Sequence, residues 1–352
     1  MTPLATVGIL SCGDMGIGYV ILVVFSGSVA LPYYIFTRKL RVRLTLISAD
    51  TQARVEAASV ETLPNHLSLV EASDYVFSIV PSHDALATAK RITSAFASLR
   101  SPKTSPLYFL DLHAISPHTA QKIANLISNN APSINFVDGG IIGHPPSLRS
   151  VSLGSDQAPS TNLSITRSDP HAWNRPSIPV SRPKPSSDSP ISGQNLQELL
   201  RIKHISTEIG PASGLKMCLA TTTKGFTALC IQAFTTAFQL GILEEFKTEM
   251  VELVPELYKS SANVVNVPPK AYWWVEEMKE IGKTHGTVRG FEFEGQDSKG
   301  GVFDAIAEIY RVVADDTVLG EEKTERRKRG RTVEDIALAV GEGLTTKKKK
   351  VE

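Results

Sequence analysis

Along the first 140 residues, short runs in which nearly every position is apolar alternate with stretches in which apolar residues recur every three or four. ATVGIL (5–10), YVFSIV (75–80), LYFLDL (107–112) and INFVDGG (134–140) read as strands, because a nearly continuous apolar run of that length has both faces buried, and Val42–Ile47 also reads as a strand. Thr51–Ala58, Asp84–Leu99 and Pro117–Ser128 read as amphipathic helices. Strands and helices in alternation predict βαβ units and a parallel sheet, with ligands at the carboxyl ends of the strands.

Between Ser147 and Ser192 the chain turns serine- and proline-rich, with little period apart from PSIPV at 176–180, which reads as a linker zone. From Gln194 onward the pattern is helical, with long apolar-periodic stretches at 213–240 and 301–319 and the aromatic trio Tyr272, Trp273 and Trp274 between them. The expected organisation is an α/β domain over 1–192, an all-helical domain over 193–345 and a basic tail over 346–352. The EEKTERRKRGR stretch at 321–331 and the closing TTKKKKVE read as a solvated helix end and a frayed tail, or as an anionic-surface or nuclear-import signal.

Composition narrows the class. The 352 residues are 42% hydrophobic and 21% charged, enough apolar material for one large core or two ordinary ones. Because 37 basic residues balance 36 acidic ones, no dedicated nucleic-acid binder is indicated. Cys12, Cys218 and Cys230 are too scattered for a disulfide framework or a zinc site, so a cytoplasmic setting is expected, with no metal. Met15–Thr37 carries no charge and precedes Arg38, Lys39, Arg41 and Arg43, which is long enough to span a bilayer. Gly27 and Pro32 break it, so a buried, turn-interrupted helix is the preferred reading and a membrane anchor the alternative.

In VGILSCGDMGIG, Gly8, Gly13 and Gly16 follow a strand and open a helix, with Ser11 where a dinucleotide fingerprint has its first glycine. Gly13 would let the backbone approach a pyrophosphate, and Gly16 would let the helix pack on the strand. The phosphate would rest on the helix N-terminus beside Asp14 and Met15. This block resembles the opening of the β-hydroxyacid dehydrogenases, the superfamily of 6-phosphogluconate and 3-hydroxyisobutyrate dehydrogenases. VFSIVPS (76–82), DLHAISP (111–117), VDGGIIGHPPS (137–147) and GPASGLKMCLATTTKG (210–225) agree with further blocks of that superfamily in order and spacing. Similarity is greatest to a 6-phosphogluconate dehydrogenase-like branch with its own helical C-terminal domain.

The resemblance implies a Rossmann-type NAD(P)-binding domain followed by an all-α domain, and an oxidoreductase acting on a small hydroxy acid. It implies cofactor contacts at Gly8, Ser11, Gly13, Asp14, Met15, Gly16, Val80 and Pro81. Substrate contacts are implied at His113, Asp138, Gly139, Gly140, Gly143 and Lys224, and the catalytic lysine falls at Lys216. At the start of a buried helix beside Ala212, Ser213 and Gly214, a lysine can take the hydroxyl proton as hydride leaves. Departing from the family, Ala220 stands where an asparagine is usual, four residues after the lysine. A plain loop role for His113 and His144, and a loop-fixing role for Asp138, are the bland readings. The basic residues after 37 favour NADP over NAD. Residues 17–48 and 150–172 interrupt the resemblance at abrupt junctions and read as read-through sequence, such as retained introns. The apolar faces of 213–240 predict a homodimer. A catalytically degenerate NADP(H)-binding protein is the second functional reading.

Overall fold

The computed structural model describes residues 5–10, 13–26, 41–42, 61–149, 170–183, 191–288 and 301–351. Ser11, Cys12, Arg38, Lys39, Arg43, the helix expected over Thr51–Ala58 and most of the strand expected over Val42–Ile47 lie outside them. The chain divides into two compact units, Met1–Lys216 and Met217–Glu352.

The first unit is built on a six-stranded sheet in the order β1 (Val7–Leu10), β4 (Tyr75–Ser78), β5 (Leu107–Asp111), β6 (Ile134–Gly139), β9 (Ile178–Ser181) and β10 (Ile202–Ser206). β1, β4, β5 and β6 run parallel, β9 is antiparallel to β6, and β10 is parallel to β9. Two small two-stranded pairs, β2 (Arg41–Val42) with β3 (Glu61–Thr62) and β7 (Ser147–Leu148) with β8 (Trp173–Asn174), complete the strands.

The unbroken apolar runs are explained by where alternate side chains go. Tyr75 and Phe77 of β4 join Val7, Ile9, Leu110 and Val137 in one core, with Tyr19 and Leu22 of α1 (Asp14–Ser26) and Leu196 and Leu200 of α5 (Ile191–Leu200). Val76, Leu107 and Phe109 face the other core, with α2 (His66–Ala72), α3 (Ala85–Ala97) and α4 (Pro117–Asn130). Each large side chain fully buried this way contributes about 1.5–3 kcal/mol. Gly8 belongs to this packing, since a Cβ there would stand 2.7 Å from Leu69 Cδ1 and 2.6 Å from Ser73 Oγ.

A carboxylate clamps the opposite, amino-terminal edge of the sheet. Asp74 Oδ2 accepts from the Thr6 amide at 2.8 Å, and its Oδ1 accepts from Ser105 Oγ at 2.7 Å. Beside it, Lys103 Nζ donates to the Val70 and Glu71 carbonyls at the end of α2.

Two elements differ from the sequence reading. Residues after Gln194 are not helical throughout, because Ile202–Ser206 forms β10 on the sheet edge. Arg201, at φ 53°, takes the left-handed turn that separates it from α5. The basic terminus is also not frayed in its backbone, since α11 (Val333–Val351) carries the helix through TTKKKKV.

α6 (Pro211–Gln239) begins in the first unit and continues in the second, which also holds α7 (Leu243–Leu253), α8 (Pro255–Ser261), α9 (Ala271–Thr287), α10 (Val302–Asp315) and α11. α9 and α10 are joined by the edge-to-face pair Trp274 and Tyr310, with ring centroids 5.2 Å apart. The Tyr310 hydroxyl donates to the Lys224 carbonyl at 2.5 Å. Among the described residues no helix is long and apolar enough to cross a membrane, and Gly27–Thr37 of the uncharged stretch lies outside them.

Candidate functional site

The carboxyl ends of β1, β4, β5 and β6 gather the chemistry of the first unit. At the end of β1 the chain turns through Gly13 into α1, whose first intrahelical bond runs from the Ile17 amide to the Gly13 carbonyl at 3.0 Å. Among the described residues nothing lies within 4 Å of a Cβ built on Gly13, which leaves space in front of this helix start. First-turn amides of a helix lack intrahelical acceptors and carry the positive end of its dipole, which fits a pyrophosphate. Met15 packs half-buried against the core and Gly16 is buried. After β4, Val80 and Pro81 are half-buried, and Ser82 Oγ donates to the Ala114 carbonyl at 2.7 Å, tying this loop to the one after β5.

The end of β5 holds a buried polar chain. His113 Nε2 lies 2.9 Å from Ser78 Oγ on β4, and the His113 amide donates to Asp111 Oδ1 at 3.2 Å. His113 Nδ1 also stands 2.7 Å from Asp111 Oδ1, without the alignment of a directed hydrogen bond. Asp111 Oδ2 has no hydrogen-bond partner among the described residues.

At the end of β6, Asp138 is wholly buried and receives four hydrogen bonds. Ser181 Oγ (2.7 Å), the Gly210 amide (2.9 Å) and the Ser213 amide (3.4 Å) donate to Oδ2, and Ser213 Oγ donates to Oδ1 at 2.5 Å. Ser181 Oγ in turn accepts from the Ala212 amide at 3.1 Å. Asp138 therefore pins the start of α6 to the sheet, and not the glycine loop that follows it. Burial pushes its carboxyl above the ordinary aspartate range, the serine bonds pull it down, and neighbouring Asp111 pushes it up again.

That anchoring places Lys216, one turn into α6, against the sheet end. A Cβ on Gly140 would stand 2.9 Å from Lys216 Cβ and 3.1 Å from its Cδ, so only glycine admits the lysine stem there. Lys216 Nζ donates to the Leu112 carbonyl over a long 3.5 Å. Gly139 is packed in the same way, with Leu112 Cδ2 at 2.8 Å from its would-be Cβ.

The sheet end thus brings together His113, Asp138, Gly139, Gly140 and Lys216, with Gly13, Val80 and Pro81 on neighbouring strand ends. Gly143, at φ 127°, lies farther along the loop against Pro176, and His144 is exposed. Lys224 lies in the second unit, where its ammonium pairs with Glu277 and sits 4.9 Å from the Trp274 ring centroid. Ser11 and the Asp14 side chain fall outside the described residues. Sequence reasoning passed over Ser78, Asp111 and Ser181. The signal available was a polar residue closing each otherwise apolar strand, YVFS, LYFLD and IPVS. Among the described residues no three His, Cys, Asp or Glu groups gather to hold a metal.

Residues 237–313 match a domain family described as a domain of unknown function, DUF1932. No curated protein matches the chain in sequence. Among solved structures it is similar to a 3-hydroxyisobutyrate dehydrogenase from Salmonella typhimurium at 14% identity and TM-score 0.58, covering 95% of this chain and 99% of that one. It is similar to the Mycobacterium tuberculosis 3-hydroxyisobutyrate dehydrogenase, solved with L-serine, at 12% identity and TM-score 0.55, covering 96% and 98%. A third, Psf3 in complex with NADP+, matches at 12% identity and TM-score 0.50, covering 86% and 93%. The chain has the fold of 3-hydroxyisobutyrate dehydrogenases and related proteins, a Rossmann-type sheet followed by a helical region, as the sequence blocks imply.

Proposed function

We propose that the protein is an NAD(P)-dependent oxidoreductase of the β-hydroxyacid dehydrogenase type, acting on a small hydroxy acid. The observation that carries this reading is Lys216, admitted against the end of β5 by Gly140 and held there by the Asp138 anchor. The open space before Gly13 and the first turn of α1 supports a dinucleotide at the same sheet end. When bound, the nicotinamide would accept hydride from the carbinol carbon. Lys216, in its neutral form, takes the hydroxyl proton, and in the reverse direction its ammonium returns it to the carbonyl oxygen. The complex of Psf3 with NADP+ supports the cofactor class, and the complex of the M. tuberculosis enzyme with L-serine supports a small hydroxyl-bearing acid. The implied assembly is a homodimer. In its support, Leu229 and Leu240, on one face of α6, are left exposed in the second unit.

Fluorescence titration with NADPH, followed by a panel of small hydroxy acids, tests the reading. Binding with turnover supports it. Binding without turnover of any acid favours a catalytically degenerate NADP(H)-binding protein, the reading that Ala220 supports, because no amide stands one turn after Lys216.

A further inference from the structure

The carbonyl of Leu112 and the amide of His113 belong to one peptide group, and each end of that group is engaged by a different ionisable side chain. Lys216 Nζ donates to the oxygen, and Asp111 Oδ1 accepts from the N–H at 3.2 Å. In a planar trans peptide the oxygen and hydrogen point to opposite sides, so cation, peptide dipole and carboxylate are arranged in series, negative end toward the ammonium. Asp111 and His113 are buried, so water screens the carboxylate little, while Lys216 is half-buried.

From this geometry we infer that Asp111 is a positioning residue that sets, through the Leu112–His113 peptide, the pH at which Lys216 releases its proton. The carboxylate polarises the peptide and makes the Leu112 oxygen a stronger acceptor for the ammonium. The His113 ring stands 2.7 Å from the same oxygen of Asp111 and shields that side of the carboxylate from water. Ser78, bonded to the far nitrogen of the ring, fixes its orientation. Among the described residues, Asp111 and His113 from the end of β5 and Asp138 from β6 are the titratable groups gathered here. The first turn of α6 before Lys216, PASGL, adds none. Asp138 is taken up by Ser181, Gly210 and Ser213, which leaves Asp111 as the carboxylate directed at the peptide. Applied to the proposed oxidoreductase, this arrangement holds the lysine as a proton donor and favours carbonyl reduction at lower pH.

Competitive acetic anhydride labelling of the full-length protein tests this directly. Labelling at each lysine is read by peptide mass spectrometry from about pH 6 to about pH 11, across the ordinary lysine range. Exposed Lys122 serves as the internal reference. An opposite charge at close range moves a titration midpoint by about 1–3 pH units, and one acting through a peptide by less. Asp111→Asn should therefore lower the Lys216 midpoint by about half a pH unit or more. Asp111→Glu, which keeps the charge, should leave the midpoint closer to the parent's than Asp111→Asn does. General loosening of the site would move both variants the same way. A folded Asp111→Asn protein with an unchanged midpoint overturns the inference. If Asp111→Asn does not fold, Asp111→Ser, which keeps a hydroxyl acceptor for the His113 amide without the charge, decides in its place, and an unchanged midpoint there is equally fatal. No cofactor or substrate enters the measurement, so this result and the turnover screen can fail independently.

Discussion

Gly140 and Lys216 meet stem to backbone: a methyl group on the glycine would lie 2.9 Å from Lys216 Cβ and 3.3 Å from the Ala212 carbonyl oxygen. A helix carrying a long basic side chain is thus seated on a strand end with no room for even one extra carbon. Gly140→Ala should leave the sheet folded and push the lysine aside. Because a displacement of about 1 Å can cost about a hundredfold in rate, turnover should fall tenfold or more while NADPH affinity changes little. Steady-state rates and a melting curve on the same preparation separate misplacement from unfolding.

Lys216→Met tests the proton-transfer role itself. Methionine keeps most of the apolar stem, so packing survives. Loss of a positioned acid/base group costs about a hundredfold to ten-thousandfold in rate. Cofactor affinity should stay near that of the parent, since Gly13 and the start of α1 are assigned to the pyrophosphate. A variant retaining its rate to within about threefold would make Lys216 structural, far outside that range.

Gly13→Val probes the other half of the site. None of the described residues lies within 4 Å of a Cβ at this position, so the fold should tolerate the side chain. It would occupy the space proposed for the pyrophosphate, and NADPH should bind about tenfold to a hundredfold more weakly, about 1.4–2.8 kcal/mol. Unchanged affinity by fluorescence titration would place the dinucleotide elsewhere.

Asp138 gives a pH-dependent stability. Its folded carboxyl is raised above the unfolded value, chiefly by burial, so the native state holds its proton more tightly than the unfolded chain. That contribution is present below the unfolded pKa and is lost as pH rises through the raised folded one. The stability advantage of the parent over Asp138→Asn should therefore be largest in acid and shrink toward neutral pH, as read by denaturant titration at several pH values. Asp138→Ala, which strands four donors, should cost about 2–4 kcal/mol near neutral pH and more in acid, where the parent gains the same proton-linked stability.

Leu229 and Leu240 lead to an expectation about assembly. Each is exposed on α6, and a second copy covering them would bury that face. Light scattering at micromolar concentration should find a dimer, and Leu229→Arg should shift it toward monomer.

Much of the fold is legible because the sheet is buried on both sides. β4 and β5 send alternate residues into two cores, so every position but the last is apolar and the strands stand out from the amphipathic helices around them. β10 is harder to read. As an edge strand it carries Lys203 and His204 among its isoleucines, and only the left-handed Arg201 separates it from α5. In the site, Lys216 and the glycines are visible as local blocks. The bonds that position them are not, because Ser181 lies 43 residues from Asp138, and Ser78 lies 35 from His113. One sequence cannot say which distant polar residue closes a buried hydrogen bond.

The Asp74 clamp has a separate meaning. It binds Thr6 and Ser105 at the amino-terminal edge, a full strand length away from the residues assigned to chemistry. Robustness and reactivity are thus lodged at opposite rims of one sheet, each governed by its own aspartates. Changes at Asp74 can make the scaffold hardier or frailer without retuning the lysine, so the two properties are open to independent adjustment by selection or by a protein engineer.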